Sequence, residues 1–391
     1  MRLGVVHPTV WPEVRRGTER FIHEYANYMA GRGHEVTVLA ASDDGAHVRR
    51  ERNYVVEYRR RLWRPSWAKL GLYEYHVFAA SVPCAVRGRG FDVVHCFNFM
   101  DALAAGVPLG GGRPRILLHL VNLPPQVEYR RVASAGGRFL RLAVRRADRV
   151  LTVGRRQREY FARRTARADL DLIHPPVDLD EFRLARKPAP DPATILFASA
   201  AGDRRKGVRA LFRAFGLLAR RRGDVRLAVA SEAPDKLRGE LLELLDAPAR
   251  ERVRDLGLTP RQELPALFGR AAVVALPSMG EAFPLTVAES LAVGTPVVGT
   301  NDGGIPELIG DPAVGALFDP GDAVEGEPSN IEGLAAALER GLALAGREET
   351  AGACRRAVSG LSWIELGPRY EALLAETAGA ATARPEEVEA E

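Results

Sequence analysis

The sequence predicts an α/β protein made of two Rossmann-like, doubly wound domains that face each other across a cleft. The chain of 391 residues is longer than one ordinary hydrophobic core accommodates. Short apolar stretches alternate with helical stretches in both halves, a pattern typical of parallel sheets covered by helices. Ligands of such sheets bind beyond the carboxyl ends of the strands, so we expect the functional site in the cleft.

The N-terminal half of this pattern predicts a domain over residues 1–183. Strands are expected at residues 3–6, 35–39, 92–96, 116–120 and 149–153, and helices at residues 18–29 and 155–164. Gly31 and Gly33 are expected to end the first helix, because glycine readily adopts the backbone conformation found at helix ends. A proline-rich segment, residues 187–192, predicts the linker to the next domain.

The C-terminal half predicts a second domain over residues 193–362. Its strands are expected at residues 194–199, 225–230, 272–276 and 296–299. Residues 363–376 have the pattern of a terminal helix. Residues 377–391 are rich in alanine and acidic side chains, a composition that favours a disordered tail.

Composition indicates a globular protein in a reducing compartment. Hydrophobic residues make up 46% of the chain and charged residues 27%, and no stretch approaches the roughly 20 apolar residues of a membrane-spanning helix. His7 and Pro8 interrupt the first apolar run, which favours a strand over a signal peptide. Cys84, Cys96 and Cys354 have neither metal nor redox spacing. We therefore expect a cytoplasmic protein.

Charge is divided unevenly along the chain. Residues 1–176 carry a net charge of +14 and residues 177–391 a net charge of −9, which together give +5. The basic excess favours an anionic partner or surface for the N-terminal half, and solvated arginine faces are the alternative explanation. The arginines are scattered without the aromatic side chains that stack on single-stranded nucleic acid, so we expect no nucleic-acid partner.

The most informative stretch is residues 275–309, in which Glu281 and Glu289 lie on either side of a predicted helix start at Pro284. Proline fits a first helical turn because its missing N–H would be unpaired there. The backbone N–H groups of residues 285–287 would then lie free at a positive helix end, which suits a diphosphate. Carboxylates accept hydrogen bonds, so the two acids suit the hydroxyls of a sugar and a ribose. Two surface acids on an ordinary strand–helix unit are the alternative.

This stretch resembles the donor-site signature of the retaining GT-B glycosyltransferases of family GT4. Glu281 and Glu289 form its E-x7-E pair, residues 277–278 precede the pair, and residues 303–307 follow it. Other matches to landmarks of these enzymes lie at residues 31–38, 91–95 and 176–182. The resemblance implies the GT-B fold, a nucleotide-diphosphate-sugar donor, and a terminal helix over residues 363–376 that crosses back onto the first domain.

The resemblance also implies roles for single residues around the pair. Glu281 would bind hydroxyls of the donor sugar, and Glu289 would bind the ribose. The loop between them, with backbone N–H groups that bind phosphate or sugar oxygens, contains Phe283, Pro284, Leu285 and Thr286. Many relatives have glycine at position 284, so this chain lacks one of those N–H donors.

In the resembling enzymes, a lysine at the position of Lys206 neutralises the diphosphate together with an arginine five or six residues earlier. Ala200 and Ala201 occupy those earlier positions here. The second cation must then come from Arg204 or Arg205, and we favour Arg205. Because the charge on the leaving diphosphate grows in the transition state, such cations stabilise that state.

The first domain is expected to contribute Gly17 and His119 to the same site. Gly17 lies in the turn before the first helix, where relatives have two glycines; the adjacent Arg15 and Arg16 could reach phosphate or acceptor, or be solvated. His119 would hold a hydroxyl of the donor sugar, and a core histidine bonded to backbone is the alternative. Leu120 occupies the position where relatives often have aspartate.

The resemblance implies a hexosyltransferase that moves a hexose-type sugar, with retention, to a hydroxyl of an unidentified small-molecule, glycan or lipid-linked acceptor. Lys206, Arg205, Glu281 and His119 would act in catalysis, with the leaving diphosphate accepting the acceptor's proton. We expect no cofactor and no metal, because the Asp169–Asp171 pair lies at a predicted strand entry rather than in a metal loop. A nucleotide-sugar 2-epimerase and a non-catalytic binding subunit are the alternatives.

The acceptor side could also meet a membrane. The arginine excess of the N-terminal half and the two tryptophans of residues 63–67 permit contact with the inner face of a membrane. An acceptor free in the cytoplasm is equally compatible with these residues.

Overall fold

The computed structural model describes residues 1–14, 16–70, 72–107, 113–122, 135–183 and 193–379. The predicted linker, residues 187–192, and the predicted acceptor contact Arg15 lie outside the described residues. Two sheets organise the rest, the smaller one parallel throughout and the larger one parallel except at one edge, and each is covered by helices. We call the larger sheet with its helices the N-terminal unit, and the smaller sheet with its helices the C-terminal unit.

The N-terminal unit contains an eight-stranded sheet in the order β3-β4-β2-β1-β5-β6-β7-β8. The strands are β1 (Arg2–Val6), β2 (Glu35–Ser42), β3 (His47–Arg50), β4 (Val55–Arg60), β5 (Val93–Cys96), β6 (Arg115–Leu120), β7 (Arg149–Thr152) and β8 (Asp171–Leu172). Its helices are α1 (Gly17–Gly31), α2 (Glu74–Ala79), α3 (Val82–Val86), α4 (Phe99–Ala105), α5 (Ala135–Arg146) and α6 (Arg155–Thr165). Only β3 and β4 pair antiparallel among these neighbours.

The C-terminal unit contains a six-stranded parallel sheet in the order β11-β10-β9-β12-β13-β14. The strands are β9 (Thr194–Phe197), β10 (Arg226–Val229), β11 (Val253–Asp255), β12 (Val273–Leu276), β13 (Val297–Thr300) and β14 (Gly315–Phe318), with a small hairpin of β15 (Ala323–Val324) and β16 (Glu327–Pro328). Its helices are α7 (Val208–Arg221), α8 (Asp235–Glu243), α9 (Ala247–Arg250), α10 (Leu264–Arg270), α11 (Leu285–Val293), α12 (Ile305–Leu308), α13 (Ile331–Leu344) and α14 (Glu348–Val358).

Alternating burial explains why both sheets are covered on two faces. In β6, Ile116 and Leu118 pack into one hydrophobic cluster and Leu117 into another, because successive strand residues point to opposite faces. In the C-terminal unit, Phe197 packs with Phe215 on one face of the sheet, while Leu196 belongs to the cluster on the other. Burying each of these side chains contributes about 1.5–3 kcal/mol to folding.

The last helix, α15 (Trp363–Gly379), returns to the N-terminal unit, as the resemblance implied. The Tyr370 hydroxyl donates to the carbonyl of His174 at 3.3 Å, and the Trp363 ring stacks on Phe21 with ring centroids 6.0 Å apart. A side chain at Gly367 would place its Cβ 2.2 Å from the Tyr28 ring, so a larger residue would require this ring to move. The interface between the units therefore includes a helix that follows the C-terminal unit in sequence.

The predicted start of the tail needs correction. The tail was predicted from residue 377, but α15 continues to Gly379, and Thr377 is fully buried with its hydroxyl donating to the Leu373 carbonyl at 2.6 Å. Residues 380–391 lie outside the described part of the chain. The predicted strands are confirmed, with ends that differ by up to three residues, whereas β3, β4, β11, β14 and the β15–β16 hairpin were not predicted.

Candidate active site

A cavity of about 1620 Å³ lies between the two units. His7, Phe97 and Val121 directly follow the carboxyl ends of β1, β5 and β6 and line one side. Ala198 and Ala230 follow β9 and β10 and line the other. The predicted location of the site, beyond the strand ends and between two doubly wound sheets, is therefore where the cavity is found. Its volume exceeds that of a typical single-ligand pocket, so it can hold two substrates.

Lys206 and Glu281 form an ion pair inside this cavity. Their side chains are 22% and 15% exposed, so both charges are partly shielded from solvent. Gly207 follows with a positive φ of 70°, and a Cβ there would lie 2.2 Å from the Pro277 carbonyl oxygen. Glycine at this point therefore lets the turn that carries Lys206 approach the loop that carries Glu281.

The second glycine-rich turn holds the Glu281 loop in place. The Gly304 N–H donates to the Glu281 carbonyl at 2.7 Å, and the Gly280 N–H donates to the Asp302 carboxylate at 2.7 Å. Gly303 has a φ of 58°, and a Cβ on it would lie 2.2 Å from the Glu281 carbonyl oxygen. These glycines hold the loop that carries Glu281 through hydrogen bonds and close packing of the backbone.

Glu307, the last residue of the signature, caps a helix of the opposite unit. Its Oε1 accepts hydrogen bonds from the backbone N–H groups of Arg155 at 2.7 Å and Arg156 at 3.3 Å, at the start of α6. A carboxylate is favourable there because unpaired N–H groups and the helix dipole make the start of a helix positive. Glu307 therefore joins the two units.

Pro284 precedes α11 as its N-terminal capping residue, one position earlier than predicted. The Val287 N–H donates to the Pro284 carbonyl at 3.0 Å, so the prediction that it is free was wrong. Within the described residues, the Leu285 and Thr286 N–H groups have no hydrogen-bond partner. These two groups, at the start of a nine-residue helix, remain available to an anion.

Gly17 faces this helix start from the N-terminal unit. It begins α1, and a Cβ on it would lie 3.4 Å from the Leu285 side chain. The N-terminal ends of α1 and α11 therefore meet across the cavity. Both ends carry the positive side of a helix dipole, so the space between them favours a negatively charged group. Phe283 lies beside it, with its ring stacked on His174 at 5.1 Å.

Of the two candidate arginines, Arg205 lines the cavity. Its Nη2 lies 2.7 Å from the Asp203 carboxylate, and its side chain is 41% exposed. Arg204 instead forms an ion pair with Glu325 of the small hairpin. The position of Arg205 agrees with our preference for it over Arg204, and its role stays a prediction.

Glu289 has partners that the sequence did not indicate. Arg20 of α1 places its Nη1 2.5 Å from Glu289 Oε1, and Arg261 places its Nη1 3.6 Å away. The Glu289 side chain is only 5% exposed, and it lines the cavity together with both arginines. The spacing of Arg20 and Glu24, four residues apart, indicated only a pair within one helix.

His119 is fully buried at the wall of the cavity. Its Nδ1 lies 3.3 Å from His95 Nε2, so its partner is a second histidine rather than backbone. Burial lowers the pKa of His119 to about 3 and that of His95 well below the ordinary value, so both rings are neutral at pH 7. His119 Nε2 has no hydrogen-bond partner within the described residues. The residue can thus serve as a neutral hydrogen-bonding group.

The part of the chain that the structure describes contains no group of three His, Cys, Asp or Glu side chains arranged to hold a metal ion. Nor does any helix in the described ranges have the length and apolar character needed to cross a bilayer.

Comparison with family models matches both units. Residues 15–181 match the model described as Glycosyltransferase Family 4, and residues 192–342 match the model described as Glycosyl transferases group 1. The two matches cover the N-terminal sheet from α1 onward and most of the C-terminal unit.

Curated relatives are similar to part of the chain. The D-inositol 3-phosphate glycosyltransferase of Paenarthrobacter aurescens is 36% identical over 172 residues, which are 39% of this chain and 40% of that protein. The O-antigen chain mannosyltransferase B of Escherichia coli is 34% identical over 122 residues, 30% of this chain and 31% of that protein. The matched segments thus span two fifths or less of these two relatives.

Solved structures share the fold over almost the full length. Sucrose-phosphate synthase from Thermosynechococcus elongatus superposes with a TM-score of 0.78 at 17% identity, covering 97% of this chain and 100% of that one. Anabaena HepE in complex with UDP superposes with a TM-score of 0.72 at 18% identity, covering 96% and 100%. Because the two family models match both units and the fold is shared over almost the full length, the chain belongs to glycosyltransferase family 4 and has the GT-B fold.

Proposed function

We propose that this protein is a retaining glycosyltransferase that moves a hexose-type sugar from a nucleotide-diphosphate sugar to a hydroxyl of an acceptor. The observation that carries the proposal is the Lys206–Glu281 ion pair beside two facing helix starts in the cavity. This arrangement offers a cation and free N–H groups to a diphosphate, and a carboxylate to sugar hydroxyls.

Donor binding would replace ion pairs within the protein by contacts to the diphosphate and the sugar. Diphosphate oxygens would accept hydrogen bonds from the Leu285 and Thr286 N–H groups and charge from Lys206. Arg205 would turn from Asp203 towards the same oxygens, since both side chains line the cavity. Glu281, released by Lys206, would accept hydrogen bonds from hydroxyls of the donor sugar, and Glu289 would bind the ribose.

Catalysis would depend on stabilising the leaving group. As the bond to the diphosphate breaks, its growing negative charge is held by Lys206, Arg205 and the helix starts, which favours the transition state over the bound donor. A diphosphate oxygen then accepts the proton of the acceptor hydroxyl on the same face of the sugar, which gives retention. Neutral His119 would hold a sugar hydroxyl through Nε2. Because these cations supply the charge, we propose transfer without a metal ion.

The acceptor would enter from the N-terminal side of the cavity, where Trp63 and Tyr73 line its wall. Small molecules, glycans and lipid-linked sugars all present the hydroxyl that the reaction needs. The names of the relatives make an inositol phosphate the first acceptor to test, and the arginine excess of residues 1–176 suits an anion.

Contact with the inner face of a membrane is a further part of this proposal. On α5, Phe139 is 45% exposed and Leu142 is 37% exposed, and the exposed Arg138 and Arg145 flank them. Apolar side chains among arginines fit an anionic lipid surface. We expect sedimentation with phosphatidylglycerol vesicles that the double variant Phe139→Ser/Leu142→Ser loses; equal sedimentation of both proteins would count against α5 as the contact.

The test of the activity is incubation with UDP-, GDP- and ADP-sugars of defined anomeric configuration, with and without inositol phosphates, in the presence of EDTA. We expect acceptor-dependent release of nucleotide and a product whose anomeric proton, observed by NMR, keeps the donor's configuration. Nucleotide release that ignores every acceptor, together with an epimerised sugar, would favour the epimerase alternative. An inverted product would contradict the mechanism.

A further inference from the structure

Five charged side chains form a cluster where the two units meet beside the cavity. Arg20 and Glu24 belong to α1 of the N-terminal unit, Glu181 follows β8, and Arg261 and Glu289 belong to the C-terminal unit. Arg20 forms an ion pair with Glu289, while Arg261 lies 3.3 Å from Glu24 and forms an ion pair with Glu181. The cluster therefore links one cavity carboxylate to residues on both sides of the cleft.

Within this cluster, Arg20 is the closest partner of Glu289. Its Nη1 lies 2.5 Å from Glu289 Oε1, whereas the nearest Arg261 nitrogen lies 3.6 Å from the same oxygen. The Arg20 side chain is 14% exposed, and Glu24, four residues later, lies 3.6 Å from its Nε. The guanidinium is thus held from two sides and has little freedom to leave.

The placement of the Glu289 carboxylate has a consequence for ligand binding. Glu289 Oε1 is buried, yet the side chain as a whole lines the cavity and keeps 5% exposure. Oε1 lies next to the two arginines, and Glu289 also lines the ligand space. A carboxylate fixed in this way has its remaining lone pairs aimed before a ligand arrives, which lowers the ordering cost of binding.

We propose that Arg20 is a positioning residue for the nucleotide: from the opposite unit, it orients the carboxylate of Glu289 towards the ribose hydroxyls. The inference rests on the proposed function, in which Glu289 binds the ribose. It adds that ribose recognition requires the two units to be together, because the carboxylate and its orienting cation lie on different units.

The experiment compares the binding of a nucleoside diphosphate with that of its 2′,3′-dideoxy analogue by calorimetry. UDP, GDP and ADP are tested on the wild-type protein, and the tightest binder and its dideoxy analogue are then tested on Arg20→Gln. Arg20→Lys keeps the charge, and Arg158→Gln, an exposed arginine on α6, is the matched control. If Arg20→Gln does not fold, Arg20→Lys replaces it, because lysine keeps the charge without the planar guanidinium.

For the wild-type protein and Arg158→Gln, we expect the dideoxy analogue to bind about tenfold more weakly than the diphosphate, since hydrogen bonds to a charged group contribute on that order. In Arg20→Gln, the diphosphate weakens about tenfold while the analogue hardly changes, so the discrimination nearly disappears. Arg20→Lys restores part of it. With a donor sugar, Arg20→Gln raises KM and leaves kcat within about twofold.

An equal weakening of both ligands in Arg20→Gln would mean that Arg20 only stabilises the fold or the interface, and it would overturn the proposal. Unchanged discrimination would do the same. Absence of any nucleotide binding by the wild-type protein is a different result, because it removes the proposed function itself. Tight binding without discrimination by the wild type removes the ribose role of Glu289 while leaving a nucleotide site.

Discussion

Individual charged residues in the cavity are already paired with opposite charges. Lys206 pairs with Glu281, Arg205 with Asp203, and Glu289 with Arg20. The Arg205–Asp203 pair is partly exposed and contributes little to stability, typically less than about 1 kcal/mol. The other two pairs are largely buried, so the cost of removing their charges from water offsets much of their attraction. Lys206 and Arg205 can exchange their carboxylates for a ligand, because a diphosphate offers more negative charge than one carboxylate does.

Removal of Lys206 tests its proposed role in catalysis. We expect Lys206→Ala to lower kcat/KM for sugar transfer by about 10²–10³-fold, the usual cost of losing one group that stabilises developing charge. Steady-state rates of transfer measure the effect. Lys236→Ala is the matched control, because Lys236 is one of only four lysines and is exposed on α8. Equal rates for the two variants would contradict the role.

Asp101 makes stability depend on pH. It is fully buried, neither carboxylate oxygen has a hydrogen-bond partner within the described residues, and burial raises its pKa well above the ordinary value. The folded state therefore binds a proton that the unfolded state releases near pH 4. The resulting contribution to stability is largest in acid and is lost as the pH rises from about 4 towards the folded-state pKa.

We expect Asp101→Asn to remove this dependence. The difference in melting temperature between the variant and the wild-type protein should shift in favour of the variant from pH 5 to pH 8, because asparagine has no proton to lose. Thermal unfolding at both pH values measures it. A difference that stays constant with pH would show that Asp101 is ionised in the folded protein.

At the scale of elements, turns that contain glycine bring together the two loops that carry Lys206 and Glu281. Gly207 and Gly303 both have positive φ, and a Cβ added to either would lie 2.2 Å from a carbonyl oxygen between β12 and α11. The sequence predicted residues 275–309 as a ligand site, and in the structure Gly303 supports the loop of that site. Lys206 and Glu281 meet, although 75 residues apart, because these turns fit closely.

Gly303→Ala tests this support. The new Cβ would meet the Glu281 carbonyl oxygen at 2.2 Å in a backbone conformation that alanine disfavours. We expect a loss of about 1–3 kcal/mol in the free energy of unfolding, measured by urea denaturation, and weaker nucleotide binding. Gly31→Ala in α1 is the control, since nothing lies within 4 Å of a Cβ there. Similar stabilities of the two variants would contradict the packing role.

The sequence predicts those elements that a local pattern of residues marks, and it does not predict contacts between distant residues. The buried strands were predicted because apolar runs mark them directly, as in β6 and β12. The β3–β4 pair was not, because His47–Arg50 is charged and exposed and lies at the sheet edge. The ion pair between Arg20 and Glu289 joins residues far apart in sequence, so local patterns contain no information about it.

At the scale of the whole molecule, the two units form one cavity and neither contains the complete site. The N-terminal unit contributes Gly17, Arg20 and His119, and the C-terminal unit contributes Lys206 and Glu281. Glu307 and the returning helix α15 join the units at other points. A donor that touches both walls should therefore stabilise the whole chain rather than one unit.

The most direct test of the central claim is thermal unfolding of the wild-type protein and of Lys206→Ala with UDP, GDP and ADP. At a concentration 100 times its dissociation constant, a bound nucleotide adds about 2.7 kcal/mol to the free energy of unfolding. We predict that at least one nucleoside diphosphate raises the melting temperature of the wild-type protein, and that Lys206→Ala loses most of this rise. If none of the nucleotides raises the melting temperature of the wild-type protein, or if the rise is equal in both proteins, the result would contradict a diphosphate site at Lys206.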